Sequence, residues 1–341
     1  ALLGVSITGW MNNPDILFDE KILQKGAEIV KEVNKEMAAI IGINPAARTT
    51  CVKPSGNASV LLQTASGIHA EHSNMYIRNV QMNKESEITQ AIMKTNPYMV
   101  EDSVWSAGGT DVVVSFPILP KKGSMYKDDL LGVKHLELVK KAQKHWVEAG
   151  TNEDLCADKG VRHNVSNTII VDNWEEVEKY VFENRHSFAG ISFLAMTGDK
   201  DYNQAPNTAV ITAKDMVKKY GNAAVFASGM VVDALKCFNN LWDACSTAKG
   251  FGEDLSLESS ENAMKRDWIR RFGKFADNYL KSDTVLAEHC LKDAYLLHKW
   301  NKIQSTLKTV DWKEDIKERK YTDVDTLAAA ACAGGACEID F

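Results

Sequence analysis

The chain alternates between two kinds of pattern. Short runs rich in β-branched residues are followed by longer stretches whose apolar residues recur at helical spacing. Residues 2–8 (LLGVSIT) read as a strand and 9–14 as a turn. Residues 16–41 read as a long amphipathic helix, with Ile22, Leu23, Ala27, Ile29, Val30, Val33, Met37 and Ile40 on one broad stripe. The pattern repeats with a β-type run at 48–53, a turn, and a helix opening at 58–64. Strands are predicted at 75–82, 111–118, 164–171 and 188–194, and helices at 85–96, 130–149 and 174–184. Beyond residue 211 the spacing is helical at 212–221, 225–245, 262–280 and 284–304. Strand–helix alternation followed by a helical part predicts a parallel-type α/β architecture.

The chain has 341 residues, enough for two ordinary domains or one large α/β domain. Lys and Arg total 40 against 46 Asp and Glu, a net charge of −6, which argues against duplex nucleic acid as a partner. No uninterrupted apolar run reaches the roughly 18–20 residues that span a bilayer, so no membrane partner is expected. The opening has no charged leader region and no A-x-A cleavage site, so no signal peptide is expected. An apolar strand this close to Ala1 leads to the expectation that the chain was cut from something longer. The seven cysteines, at 51, 156, 237, 245, 290, 332 and 337, are odd in number and irregularly spaced. That is not a secreted disulfide framework, and a reducing cytoplasm is the expected location.

Five motifs carry possible chemistry. At CVKPSGNASVLL (residues 51–62) a strand turns tightly into a helix N-terminus, where unpaired N–H groups and the helix dipole favour phosphate, with Lys53 as an added charge. It is not a G-x-x-x-x-G-K-[ST] loop, and a plain capped turn uses the same residue types. His69 and His72 are three apart but lack further ligands, so a polar loop lining a pocket is favoured over a metal site. HNVSN (163–167) and YNQAP (202–206) are polar loops beside strands, equally suited to an active site or to loop hydrogen bonding. In the Ala/Gly-rich tail, Cys332 and Cys337 form a C-x4-C pair able to close a disulfide or to exchange thiols with a partner. Two incidental cysteines remain the alternative there.

Taken in order, these motifs form one pattern. RTTCVKPSGNASVLLQTASGIHAEHSNMYIRNV (48–80) resembles the K-P-S-G-T…G-[IV]-H…Y-[IY]-R segment of adenosylcobalamin-dependent (class II) ribonucleotide reductases, nearest the monomeric ribonucleoside-triphosphate reductase type. GVSITG (4–9), VSFP (114–117), HNVSNTIIV (163–171), GISFL (190–194), YNQAP and the tail cysteines follow the family's order.

The resemblance implies the C-terminal half of a ten-stranded α/β barrel. Residues 1–210 would be the second half-barrel, 211–320 a mostly helical region, and 321–341 a flexible redox tail. It implies adenosylcobalamin as cofactor, which supplies the radical step while the protein positions and shields it. A ribonucleoside triphosphate would be the substrate, reduced to the 2′-deoxyribonucleotide, and a thioredoxin- or glutaredoxin-like protein the reductant. Lys53, Pro54, Ser55, Gly56, Asn57, Ala58 and Ser59 would bind substrate phosphates. The family's Thr is Asn57 here, and either residue caps a helix start. Cys332 and Cys337 would carry reducing equivalents to the active site.

The family's Asn-Pro-Cys-Gly-Glu finger loop, with its thiyl-radical Cys and partner Glu, does not occur in this sequence. No catalytic residue and no protein metal ligand is therefore assigned. The missing N-terminal half is an expected partner, and the chain alone is expected to be inactive. AMTGD (195–199) replaces the family's commoner Pro. Two alternatives stand beside this reading: a nucleotide-binding or redox-relay module without radical chemistry, and a class I large-subunit fragment. The Lys-Pro-Ser-Gly form of the turn favours class II.

Overall fold

A computed structural model describes residues 3–196, 202–250 and 260–312. In chain order the first elements are β1 (Val5–Ser6), α1 (Pro14–Leu17), α2 (Glu20–Ile41), β2 (Thr50–Cys51), α3 (Asn57–Leu61), β3 (Tyr76–Asn83) and α4 (Glu87–Thr95). Then come β4 (Val100–Asp102), β5 (Asp111–Ile118), α5 (Gly132–Ala142), β6 (Ile169–Val171), α6 (Trp174–Glu183), β7 (Phe193–Ala195) and β8 (Asn207–Ala209). Helices α7 (Ala213–Tyr220), α8 (Ala223–Cys237), α9 (Leu241–Gly250), α10 (Ser260–Tyr279) and α11 (Thr284–Thr306) complete the order. The chain divides into two compact units, 1–74 with 119–199, and 75–118 with 200–341.

In the first unit, β1 pairs parallel with β2 and β6 parallel with β7, and a single parallel bridge joins Val52 to Val165. Trp10, Met11, Leu23, Ile68, Leu136 and Ile169 lie at its centre, each almost fully buried. Asp19 caps α2 by accepting the Ile22 N–H at 2.9 Å, and Gly42, at φ 78°, ends it. Helix α5 runs into a widened π turn, Gln143–Glu148, rather than continuing as the single helix predicted to 149. The Thr50 hydroxyl bonds the Trp146 carbonyl at 2.6 Å, and the Trp146 indole N–H bonds the Cys51 carbonyl at 2.9 Å. These bonds tie the widened turn to β2.

The second unit holds a four-stranded antiparallel sheet, ordered β4-β5-β3-β8. Its centre is the β3–β5 ladder, in register from Tyr76 opposite Ile118 to Asn83 opposite Asp111. One face, with Val112, Val114, Met82 and Phe116, packs on Ile92, Met99 and Ile303. Helices α7–α11 form a separate core around Trp268, Phe272, Val231, Leu241 and Leu291. Among the described residues no helix is long and apolar enough to cross a membrane.

The half-barrel expectation is overturned. The fold is mixed α/β with sheets of two and four strands, and no described sheet closes on itself. The parallel pairs are only two and three residues long, and Pro54, which lacks an N–H, follows closely on β2. The longest strands pair antiparallel, so the parallel-type expectation fails for the main sheet.

Smaller differences have local causes. Leu23, Ala27 and Ala38 form the buried face of α2, whereas Ile22, Ile29, Val33, Met37 and Ile40 stay exposed. The predicted stripe mixed these two faces. The predicted helix 225–245 is two helices, α8 and α9.

Candidate functional site

After β2 the backbone is held from both sides by hydroxyl groups. The Lys53 N–H donates to Ser6 Oγ at 2.9 Å, and the Ser55 N–H to Ser66 Oγ at 3.0 Å. Pro54 has no N–H to satisfy. Gly56 turns the chain at φ 48° and ψ −118°, a conformation that only glycine adopts readily, and serves as the N-cap of α3. The cap makes no side-chain bond: Asn57 is the first helical residue and not the capping residue the sequence suggested. The Ala58 N–H reaches the Ser55 carbonyl at 3.0 Å, and the Ser59 hydroxyl donates to the Gly56 carbonyl at 2.7 Å.

Among the described residues, the backbone N–H groups of Gly56 and Asn57 have no acceptor. Lys53, Pro54, Gly56, Asn57 and Ala58 are exposed, Ser55 is half-buried and Ser59 is buried. The sequence-predicted residues therefore form one exposed turn with two free donors and a cation beside it. Helix α3 is only five residues long, shorter than predicted, and Gln63 at φ 52° follows its end. Val60, Leu61 and Leu62 are left exposed.

The loop from Thr64 to His72 supports this turn. The Asn12 amide donates to Glu71 Oε1 at 2.8 Å and Ser124 Oγ at 3.0 Å, and its oxygen accepts the Ala65 N–H at 2.7 Å. His69 directs Nδ1 to the Ser66 carbonyl at 3.0 Å, while the Lys127 ammonium lies 2.8 Å from His72 Nδ1. Each imidazole thus has a different partner, and among the described residues no three His, Cys, Asp or Glu could hold a metal ion. Buried His135 meets the Ile68 carbonyl through Nε2 at 3.2 Å. Burial, with a smaller repulsion from His69, lowers its pKa to about 4, so the ring is neutral and Nε2 is the donor.

The HNVSN loop supplies loop hydrogen bonds. His163 Nδ1 meets the Thr50 carbonyl at 3.0 Å, and the Asn167 amide donates to the carbonyls of Val165 and Gly190 at 2.7 and 3.1 Å.

The second unit contains a groove of which the sequence pointed only to one side, the YNQAP loop. Asn79, Gln81, Val113, Trp105, Tyr202, Gln204 and Pro206 line a space of about 470 Å³. Trp105 and Tyr202 meet edge to face, 5.7 Å between ring centres. Gln204, at φ 60°, accepts the Val104 N–H at 2.9 Å and donates to the Asp102 carbonyl at 2.7 Å. The YNQAP loop is thereby tied to the loop after β4. Tyr202, Gln204 and Pro206 belong to the YNQAP motif already singled out in the sequence; the side that was missed is marked by Trp105, a lone Trp in a Ser- and Gly-rich stretch (SVWSAGG). The groove is of drug-ligand size, and no residue of this chain is assigned to cobalamin.

Cys51, Cys156, Cys237, Cys245 and Cys290 are free thiols, and burial pushes Cys245 and Cys290 up to about 12, which keeps them unreactive. Cys332 and Cys337 lie outside the described residues, as does most of the AMTGD loop.

No family model matches the chain. A probable adenosylcobalamin-dependent ribonucleoside-triphosphate reductase of Dictyostelium discoideum is 28% identical over 123 residues, covering 36% of this chain and 16% of that protein. The adenosylcobalamin-dependent ribonucleoside-triphosphate reductase of Euglena gracilis is 23% identical over 214 residues, covering 61% of this chain and 27% of that one. A crystal structure of a B12-dependent (class II) ribonucleotide reductase aligns over 57% of this chain and 26% of its own, with a TM-score of 0.49 and 18% identity. The chain is a distant homologue of the B12-dependent (class II) ribonucleotide reductases. It spans 16% and 27% of the length of the two curated relatives.

Proposed function

We propose that this chain is part of an oxidoreductase that reduces ribonucleoside triphosphates with adenosylcobalamin-initiated radical chemistry, and that its share of the work is to hold the substrate's phosphates. The observation that carries this is the turn at Lys53, Pro54, Ser55, Gly56, Asn57, Ala58 and Ser59. Two backbone donors there, on Gly56 and Asn57, are exposed without an acceptor, beside the exposed Lys53. Such donors match the chemistry of a phosphate group. The names of the two relatives support the substrate class and the cofactor.

In this reading adenosylcobalamin, when bound, would supply the radical chemistry, and no described residue of this chain is given a part in that step. Lys53 and the two N–H groups fix the triphosphate so that the ribose is presented in one orientation. Cys332 and Cys337 exchange a disulfide with the active site and are re-reduced by a thioredoxin- or glutaredoxin-like protein.

The test is a titration of the chain, labelled with ¹⁵N at Gly and Asn, with a ribonucleoside triphosphate. The Gly56 and Asn57 amide signals are expected to shift with saturation. Shifts confined to other residues, or none, overturn the assignment of this turn.

A further inference from the structure

The Thr8 hydroxyl, just beyond β1, meets three groups. It lies 3.0 Å from the Ala65 carbonyl oxygen, 2.9 Å from the Gly67 nitrogen and 2.6 Å from Ser55 Oγ. A hydroxyl has one proton and two lone pairs, so the roles can be assigned. The Gly67 N–H can only donate, and it takes one lone pair. The Ala65 carbonyl can only accept, and it takes the proton. Only a lone pair remains for Ser55. Ser55 is therefore the donor in the 2.6 Å bond. The reverse assignment would set two oxygens 3.0 Å apart with no proton between them.

The second serine of the turn is committed as well. Ser59 gives its proton to the Gly56 carbonyl at 2.7 Å.

We infer that Thr8 is a positioning residue for the Lys53–Ser59 turn: it takes up the hydroxyl proton of Ser55, so that the turn meets an anion with backbone N–H groups and Lys53 and not with serine hydroxyls. This rests on the phosphate reading of the turn and adds which of its groups can donate. A Ser55 hydroxyl held this way offers only lone pairs to a further partner, which repel a phosphate oxygen. Selection at the turn then falls to the Gly56 and Asn57 donors, whose directions are set by the backbone.

The test has two arms on the full chain. The first is a double-mutant cycle in urea unfolding with Thr8→Val and Ser55→Ala. The Ala65 and Gly67 bonds are lost in both Thr8→Val species, so they cancel from the cycle. The effect of Ser55→Ala on the folding constant is expected to shrink about threefold to tenfold once Thr8 is Val. Strictly additive effects overturn the bond.

The second arm measures binding of inorganic triphosphate. Thr8→Val releases the Ser55 proton, so Ser55→Ala should reduce affinity at least about fivefold more in the Thr8→Val background than when Thr8 is present. Thr8→Ser, which keeps the hydroxyl, should behave as the unaltered chain does. Equal losses in both backgrounds overturn the role of Thr8. If the unaltered chain binds no triphosphate, the phosphate reading falls and the positioning role falls with it. That result differs from the failure of Thr8 alone, in which binding persists and the cycle is additive.

Discussion

A Cβ on Gly67 would sit 2.8 Å from the carbonyl oxygen of Lys53, and Gly67 itself lies at φ 55°. The loop before His69 is thus in direct backbone contact with the first residue of the candidate phosphate turn. The glycine of the G-I-H motif serves that contact. Gly67→Ala should both strain the backbone and push the Lys53 carbonyl away. A loss of roughly 1–3 kcal/mol is expected from the conformation alone, with the steric clash adding to it. Gly42, at φ 78° with open space around it, is the control. Urea unfolding should rank Gly67→Ala well below Gly42→Ala, and equal midpoints would remove the contact from the account.

Gly56 differs from Gly67. A Cβ there would meet nothing within 4 Å, so its constraint comes from its own φ and ψ. Gly56→Val should distort the turn by backbone strain and weaken triphosphate binding about tenfold, which is roughly 1.4 kcal/mol. Calorimetric titration measures this. Undiminished binding would make the turn structural only.

His135 predicts an acid limb in stability. Its pKa falls from 6.5 in the unfolded chain to about 4 in the fold. Between those values the unfolded state takes up a proton that the folded state refuses. The contribution is complete above about pH 6.5 and is lost as pH falls towards 4, an upper bound of roughly 3 kcal/mol. His135→Gln should flatten the fall in urea midpoint between pH 7 and 4.5. An unchanged slope would assign the acid limb to other groups.

Gln204 ties two loops together through Val104 and Asp102, and Trp105 stands directly behind them. Gln204→Ala removes these bonds, together with the one its amide donates to Glu101 Oε1 at 3.2 Å, and leaves an N–H and a carbonyl to find water. A cost of about 1–2 kcal/mol is expected, with faster proteolysis at residues 103–110. A cleavage pattern identical to the unaltered chain would count against this tie.

On the proposed shuttle role, Cys332→Ser with Cys337→Ser is expected to spare the first turnover of the reductase to which this chain is proposed to belong, because a pre-reduced active site would hold electrons for one cycle. Continued turnover driven by a thioredoxin-type protein should collapse, and a small dithiol should partly restore it. Full thioredoxin-driven turnover in the double variant would leave the pair without a shuttle role.

By itself the sequence determined most helices and the turn. The apolar spacing of residues 174–184 and 284–304 and the Asp and Gly at the ends of α2 are local signals, and local hydrogen bonding realises them. The turn at Pro54 and Gly56 was equally legible, because its two backbone restrictions are written in residue type. Tertiary structure alone decided how strands pair. Nothing local to residues 76–83 says that they lie antiparallel to 111–118, because strand partners are chosen by contacts distant in sequence. The same holds for the direction of the Ser55 proton. It is set by Thr8, forty-seven positions earlier, and by the carbonyl of Ala65, which only folding brings into reach.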